Sequence, residues 1–180
     1  MESSRILYKI LKRTDLTEDL LDNFSRYQET KKVWYLEDGE FKTKDDSFID
    51  DWSAAKKKLV IEELMLCVTN NGIVAGAYKG MKLVGFASVE SERFGSNHQY
   101  VELPYIHVSS EARGLGVGKM LFEICCKESK KLGAAKLYIA AHPSIESQAF
   151  YEAVGCKQAE EINMEIVKRE PLDIQLEKIL

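Results

Sequence analysis

The sequence predicts an α/β (α+β) domain: a central, mixed, mostly antiparallel twisted sheet of about six or seven strands with helices on both faces. Three observations carry this. Short β-branched and apolar runs recur along the chain, two longer stretches show helical spacing of apolar residues, and turn residues such as Asn70-Asn71-Gly72 and Lys79-Gly80 punctuate them. At 180 residues the chain suits a single domain, residues 1–180, with one sizeable core.

In chain order, Ile6, Tyr8 and Ile10 alternate with Leu7, Lys9 and Leu11, the pattern of a first strand. Asp15 or Thr17 then caps an expected helix through Leu20, Leu21 and Phe24. Periodicity fades over residues 28–51, although Trp34, Tyr35, Phe41, Phe48 and Trp52 are scattered through and just after it among Glu37, Asp38, Glu40, Asp45, Asp46, Asp50 and Asp51. A long irregular segment in a compact domain suggests a lid or binding loop. Residues 54–69 return to helical spacing through Leu59, Ile61, Leu64, Met65 and Val68. A hairpin follows, residues 73–78 and 83–89, and then a strand over residues 99–108. The next helix, reaching about residue 132, places Val117, Met120, Leu121, Ile124 and Cys125 on its buried stripe. Lys130, Lys131 and Gly133 close it with cations and a glycine. A short buried strand at residues 136–141, a helix started by Pro143-Ser144, and strands near 157–161 and 174–179 complete the set.

Composition narrows the class of protein. Hydrophobic content of 45% and charged content of 30% are ordinary for a globular chain. A net charge of −4 argues against nucleic acid and anionic membrane as partners. No apolar run reaches transmembrane length, and Met1-Glu2-Ser3-Ser4-Arg5 holds no signal-peptide core. Cys67, Cys125, Cys126 and Cys156 lack CxxC spacing, which suits reduced thiols in the cytoplasm. His98, His107 and His142 do not combine with them at zinc spacing, so no metal site is expected.

The most informative stretch is Arg113-Gly114-Leu115-Gly116-Val117-Gly118-Lys119, between a strand and a helix. Backbone amides and a helix N-terminus converge there, an anion-binding arrangement. A Walker A loop requires a hydroxyl after Gly118-Lys119, and Met120 stands in that place. A dinucleotide fingerprint requires a third glycine where Lys119 stands, and an acidic residue downstream that is missing between Glu128 and Glu146. Arg113-x-x-Gly116-x-Gly118 instead resembles the signature of the GCN5-related N-acetyltransferases, the GNAT superfamily. Phe150-Tyr151-Glu152-Ala153-Val154-Gly155-Cys156 is similar to that family's later helix ending, while Ser144 and Ser147 stand where the family usually carries Asn and Ala.

The resemblance implies acetyl-CoA as co-substrate and a GNAT-type fold. Its pyrophosphate would lie on Arg113, Gly114, Leu115, Gly116, Val117, Gly118 and Lys119, where a side chain at Gly116 or Gly118 would hold the backbone off the phosphates. Ser144, Ser147 and Phe150 would border the pantetheine arm, with Ser144 equally suited to an N-cap role. Pro104 cannot donate a ladder hydrogen bond and marks an edge, bulge or splay. In the family the strand bearing it parts from the next, and backbone groups of Ile106, His107 and Val108 hold the donor. Tyr151, at i+7 from Ser144 on one helix face, would be the general acid for the departing thiolate, and Glu102 the base. Glu90 and Glu92 are weaker base candidates. The implied activity is direct acetyl transfer to a primary amine in a ternary complex, with a small-molecule or peptide acceptor met by residues 28–51 and 162–171. An acidic wall there would favour a cationic amine. No cysteine is placed for a ping-pong intermediate. A coenzyme A-binding module without turnover, a longer acyl donor, and a homodimer through residues 174–179 stay open.

Overall fold

The computed structural model describes residues 5–180; residues 1–4, used above against a signal peptide, lie outside them. Ten strands and four α-helices follow in order: β1 (Ile6–Ile10), β2 (Gln28–Glu37), β3 (Glu40–Asp50), α1 (Ala54–Thr69), β4 (Ile73–Lys79), β5 (Lys82–Val89), β6 (Tyr100–Glu102), β7 (Tyr105–Val108), α2 (Val117–Lys131), β8 (Lys136–Ala141), α3 (Ile145–Ala153), β9 (Lys157–Gln158), α4 (Met164–Arg169) and β10 (Ile174–Ile179). One four-stranded sheet has the order β1-β4-β5-β7, a second β6-β8-β10-β9, and β2 pairs with β3 alone. Every pairing is antiparallel except β6 with β8. The mixed, mostly antiparallel architecture expected from the sequence is therefore present.

The β4–β5 hairpin has a core on each face, which explains why its strands read as nearly continuous apolar runs. Val74, Leu83 and Phe86 meet Val60, Ile61 and Leu64 of α1 on one side. Ala75, Ala77, Val84 and Ala87 meet Val117, Leu121, Phe122 and Cys125 of α2 on the other. A register shift opposite Ala77 and Tyr78 inserts Val84, so that Val84 and Gly85 both face α2. A Cβ on Gly85 would stand 2.8 Å from Val117 and 3.0 Å from Leu121, so this glycine sets how closely α2 lies on the sheet.

Several expectations are corrected. Residues 17–24 form no α-helix. A short 3₁₀ turn at Arg13–Asp15 is followed by isolated i→i+3 bonds, Leu20 to Thr17, Asp22 to Asp19 and Phe24 to Leu21. Leu16, Leu21 and Phe24 are nevertheless buried, at spacings that suit an irregular segment laid on the α1 face. Residues 28–51 are not irregular but the β2–β3 hairpin, reversed at Asp38-Gly39 with φ of 53° and 79°, as a type I′ turn requires. The single strand expected over 99–108 breaks at Leu103-Pro104 into β6 and β7, which belong to different sheets. The strand expected at 157–161 shrinks to β9, and α4 fills the stretch before Pro171, capped by Asn163 Oδ1 on the amides of Glu165 and Ile166. On α2 the buried set is Val117, Leu121, Phe122, Cys125 and Ser129, whereas Met120 faces outward. β10 runs between β8 and β9.

Candidate active site

The glycine stretch begins where β7 ends. Arg113 donates from Nε to the carbonyl of Val108 at 3.2 Å, turning the chain back before α2. Gly114 and Gly116 each have φ of +77°, a conformation that penalises any Cβ, and nothing lies within 4 Å of where a Cβ would be. The need for glycine here is conformational, with open space above the loop. Gly118 has a different reason, since its Cβ would meet Phe150 at 3.3 Å. Gly116 heads the 15-residue α2 with no side-chain cap, and the first turn holds no acidic residue. The first amides of a helix have no partner within it, so this end offers them, with the positive end of the dipole, to an anion. Leu115 and Lys119 are exposed beside it, whereas the Val117 side chain is buried in the core. Loop and helix start thus fit the pyrophosphate of coenzyme A.

Beyond Leu103, whose amide still donates to Tyr138 O at 2.9 Å, the two sheets part. β7 pairs only with β5, through Tyr105, Ile106, His107 and Val108. β8 continues to Ala141 with β10 on its far edge, so no strand pairs with the edge of Ile139–Ala141 nearest β7. The proline-marked splay read from the sequence is this split.

The split opens on a cavity of about 760 Å³ that brings together Glu102, Ile106, His107, Ser147 and Tyr151. Tyr151 is 8% exposed, packed edge-on against Phe122 and Phe150. Burial pushes its phenol well above the ordinary value, so it holds its proton. Ser144 is fully buried. Its Oγ caps α3 by accepting from Ser147 N at 3.2 Å, and Gln28 Nε2 approaches it at 3.4 Å. Of the two serines, Ser147 is the one that lines the cavity. Phe150 packs under the glycine loop, against Gly118.

Glu102 carries a 2.6 Å ion pair with Arg169 of α4. Burial raises its carboxyl even so, against the pull of Arg169. His107 is kept neutral, first by burial and then by Arg26, Arg113 and Lys56, and its ring lies 4.9 Å from that of Trp52. Glu90 also lines the cavity, whereas Glu92 does not. Of the acidic residues clustered in residues 37–51, only Asp50 does so. Others face solvent, with Glu37 paired to Lys42 and Asp45 to Lys32.

Sequence reasoning missed Arg26 and Asp173 and named Trp52 only as one of the aromatics near the irregular stretch; all three line the cavity. Asp173 follows α4, and burial, aided by Glu170 and Asp50, raises its carboxyl to about 7. These residues sit in connecting segments that lack a periodic signature, and folding alone gathers them.

A glycine-headed helix beside a split between sheets, with a buried tyrosine lining the cavity there, defines the class: this is the N-acyltransferase fold. The model of the acetyltransferase (GNAT) family matches residues 15–156, and the chain belongs to that family. Among solved structures it is similar to a Bacillus anthracis protein assigned as a streptothricin acetyltransferase, in complex with acetyl coenzyme A. That likeness has 18% identity and a TM-score of 0.69, over 98% of this chain and 99% of the other. Nourseothricin acetyltransferase gives 14% identity and 0.68, over 96% and 95%. Aminoglycoside 6'-acetyltransferase type Ii gives 19% and 0.62, over 96% of each chain. At these identities the likeness establishes the fold alone. No curated protein matches the chain in sequence.

Proposed function

We propose that the protein moves the acetyl group of acetyl-CoA onto a primary amine by direct transfer in a ternary complex. The observation that carries this reading is the position of Tyr151, buried and protonated on the same cavity wall as Ser147, where the β7–β8 split opens. Acetyl-CoA supplies an acyl group activated as a thioester. Amides of the Gly114–Gly116 turn and the start of α2 would hold its pyrophosphate, with Arg113 and Lys119 alongside. Backbone groups of Ile106, His107 and Val108 would hold the pantetheine arm and polarise the acyl carbonyl. Ser147 would touch the arm from α3, while Ser144 and Phe150 position that helix and the glycine loop. Tyr151 would give its proton to the departing sulfur.

The amine arrives protonated at neutral pH, so a base is needed. Among the carboxylates on the wall, Glu102 and Asp173 are the base candidates, and the pKa of about 7 at Asp173 suits proton removal near neutrality. The β2–β3 hairpin, through Gln28, Phe48 and Asp50, and α4 with its following turn would form the acceptor side. Four unpaired thiols at Cys67, Cys125, Cys126 and Cys156 support a reducing compartment, the cytoplasm. No helix among the described residues is long and apolar enough to cross a membrane.

The test is thiol release from acetyl-CoA with a panel of primary amines. Tyr151→Phe should lower kcat on the order of a hundredfold while acetyl-CoA affinity, measured by calorimetry, stays within about twofold. Unchanged turnover across the pH range would remove Tyr151 from the mechanism. Tight acetyl-CoA binding with no thiol release from any amine would favour a binding module over an enzyme.

A further inference from the structure

The cavity contains two buried ionic atoms of opposite sign that no neighbour satisfies. Arg26 is only 8% exposed. Its Nη1 donates to Gln28 Oε1 at 3.1 Å, and the guanidinium lies 5.7 Å from the centre of the Trp52 ring. Its Nε has no hydrogen-bond partner, and no carboxylate of the described residues comes within ion-pair distance. Opposite in charge, Asp50 Oδ2 is buried without a hydrogen bond, with only the imidazole Nε2 of His142 nearby at 3.5 Å. Both side chains line the same cavity, and Lys56 adds a second cation to it.

Desolvating a guanidinium without a counter-ion is costly, and so is burying a carboxylate oxygen without a donor. Neither group quenches the other by contact. A guest that brings an acceptor to Arg26 and a donor to Asp50 removes both penalties at once. Guanidinium offers paired donors that match a carboxylate.

We propose that the acceptor is an amine that itself carries a carboxylate, a free amino acid or the end of a short peptide, with the carboxylate held by Arg26 and an N–H of the same molecule held by Asp50 Oδ2. The inference rests on the acetyl-transfer reading for its chemistry, and on the orphaned Arg26 and Asp50 atoms for its specificity. It separates this chain from enzymes whose acceptors are purely cationic, such as polyamines.

The experiment pairs each free amino acid of a panel with the amine its decarboxylation gives, lysine with cadaverine and phenylalanine with phenethylamine among them. Thiol release from acetyl-CoA is measured with the unmodified protein. Amino acids should exceed their decarboxylated partners in kcat/KM by about ten- to a hundredfold, the worth of one charge-assisted contact. Arg26→Gln should erase that preference by raising KM for the acids alone, and Arg26→Lys should keep part of it. In both variants KM for acetyl-CoA should be unchanged. Calorimetry with the amino acids and coenzyme A reads the same site without turnover. Equal or better turnover of the decarboxylated amines overturns the proposal, as does an Arg26→Gln defect confined to acetyl-CoA, or failure of every acid probe to bind. Arg26-dependent binding of amino acids without thiol release would uphold this proposal and sink acetyl transfer instead.

Discussion

Asp173 ties native stability to pH. Burial among Glu170 and Asp50 raises its carboxyl from the ordinary value to about 7, whereas in the unfolded chain it titrates near the usual aspartate range. The sign follows. Below the unfolded value both states are protonated and the group costs nothing. As pH rises toward 7 the unfolded chain ionises first, and native stability falls. Above the folded value the penalty is complete, at most about 4 kcal/mol by that difference in pKa. Asp173→Asn should therefore raise the Tm at pH 8 and leave it nearly unchanged at pH 4, as read by thermal scans at the two pH values. If Asp173 is the base, the ascending limb of the pH–rate profile near 7 should vanish in the same variant. A limb that persists while the Tm shift appears would remove Asp173 as the base and leave Glu102 and Glu90.

At the scale of elements, the glycine loop and the hairpin contrast in how they are encoded. Gly116 needs its φ of +77° and has free space around it, so Gly116→Ala meets no clash and suffers only backbone strain of about 1–2 kcal/mol. The expected outcome is a modest fall in Tm with a larger loss of acetyl-CoA affinity, because the helix start is re-aimed; calorimetry showing unchanged affinity would exclude the loop as the phosphate site. This loop was legible because its left-handed backbone at Gly114 and Gly116 fixes the residue type there. Pro104, which removes a ladder donor, marked an edge, bulge or splay, and only the family resemblance singled out the splay. The β2–β3 hairpin was not legible, because residues such as Leu36 and Ile49 are exposed and Lys, Glu and Asp fill both faces, erasing the alternation that marks a half-buried strand. Its Asp38-Gly39 turn was the overlooked signal. The segment before it misled in the opposite way: Leu20, Leu21 and Phe24 resemble a helical face, yet tertiary burial of Leu16, Leu21 and Phe24 holds the chain in separate turns. Arg26, Asp50 and Asp173 belong to three distant segments, and only their meeting in one cavity gives them meaning.

Across the whole molecule, α2 and its core join the two sheets that part between β7 and β8. One continuous cluster contains Val84 and Ala87 of β5, Leu121 and Phe122 of α2, Leu137 and Ile139 of β8, Tyr151 of α3 and Leu176 of β10. The hairpin is tied to the same body, as Trp34 N donates to Pro143 O at 2.9 Å and Val33, 4% exposed, bridges to Ser144 at the α3 cap. The site can therefore be open between β7 and β8 without dividing the chain into independently folding halves, and we propose that the chain unfolds as one cooperative domain. Its two tryptophans, Trp34 and Trp52, lie on the hairpin and just before α1, so their fluorescence follows the hairpin and the segment after it, whereas far-ultraviolet circular dichroism follows the helices and sheets. Urea transitions by the two probes should coincide. Phe122→Ala, which empties the centre of the shared core, should lower both midpoints together by about 3–5 kcal/mol of stability. A fluorescence transition that comes first, or that ignores Phe122→Ala, would mean that the hairpin melts as a separate unit, held apart from the core.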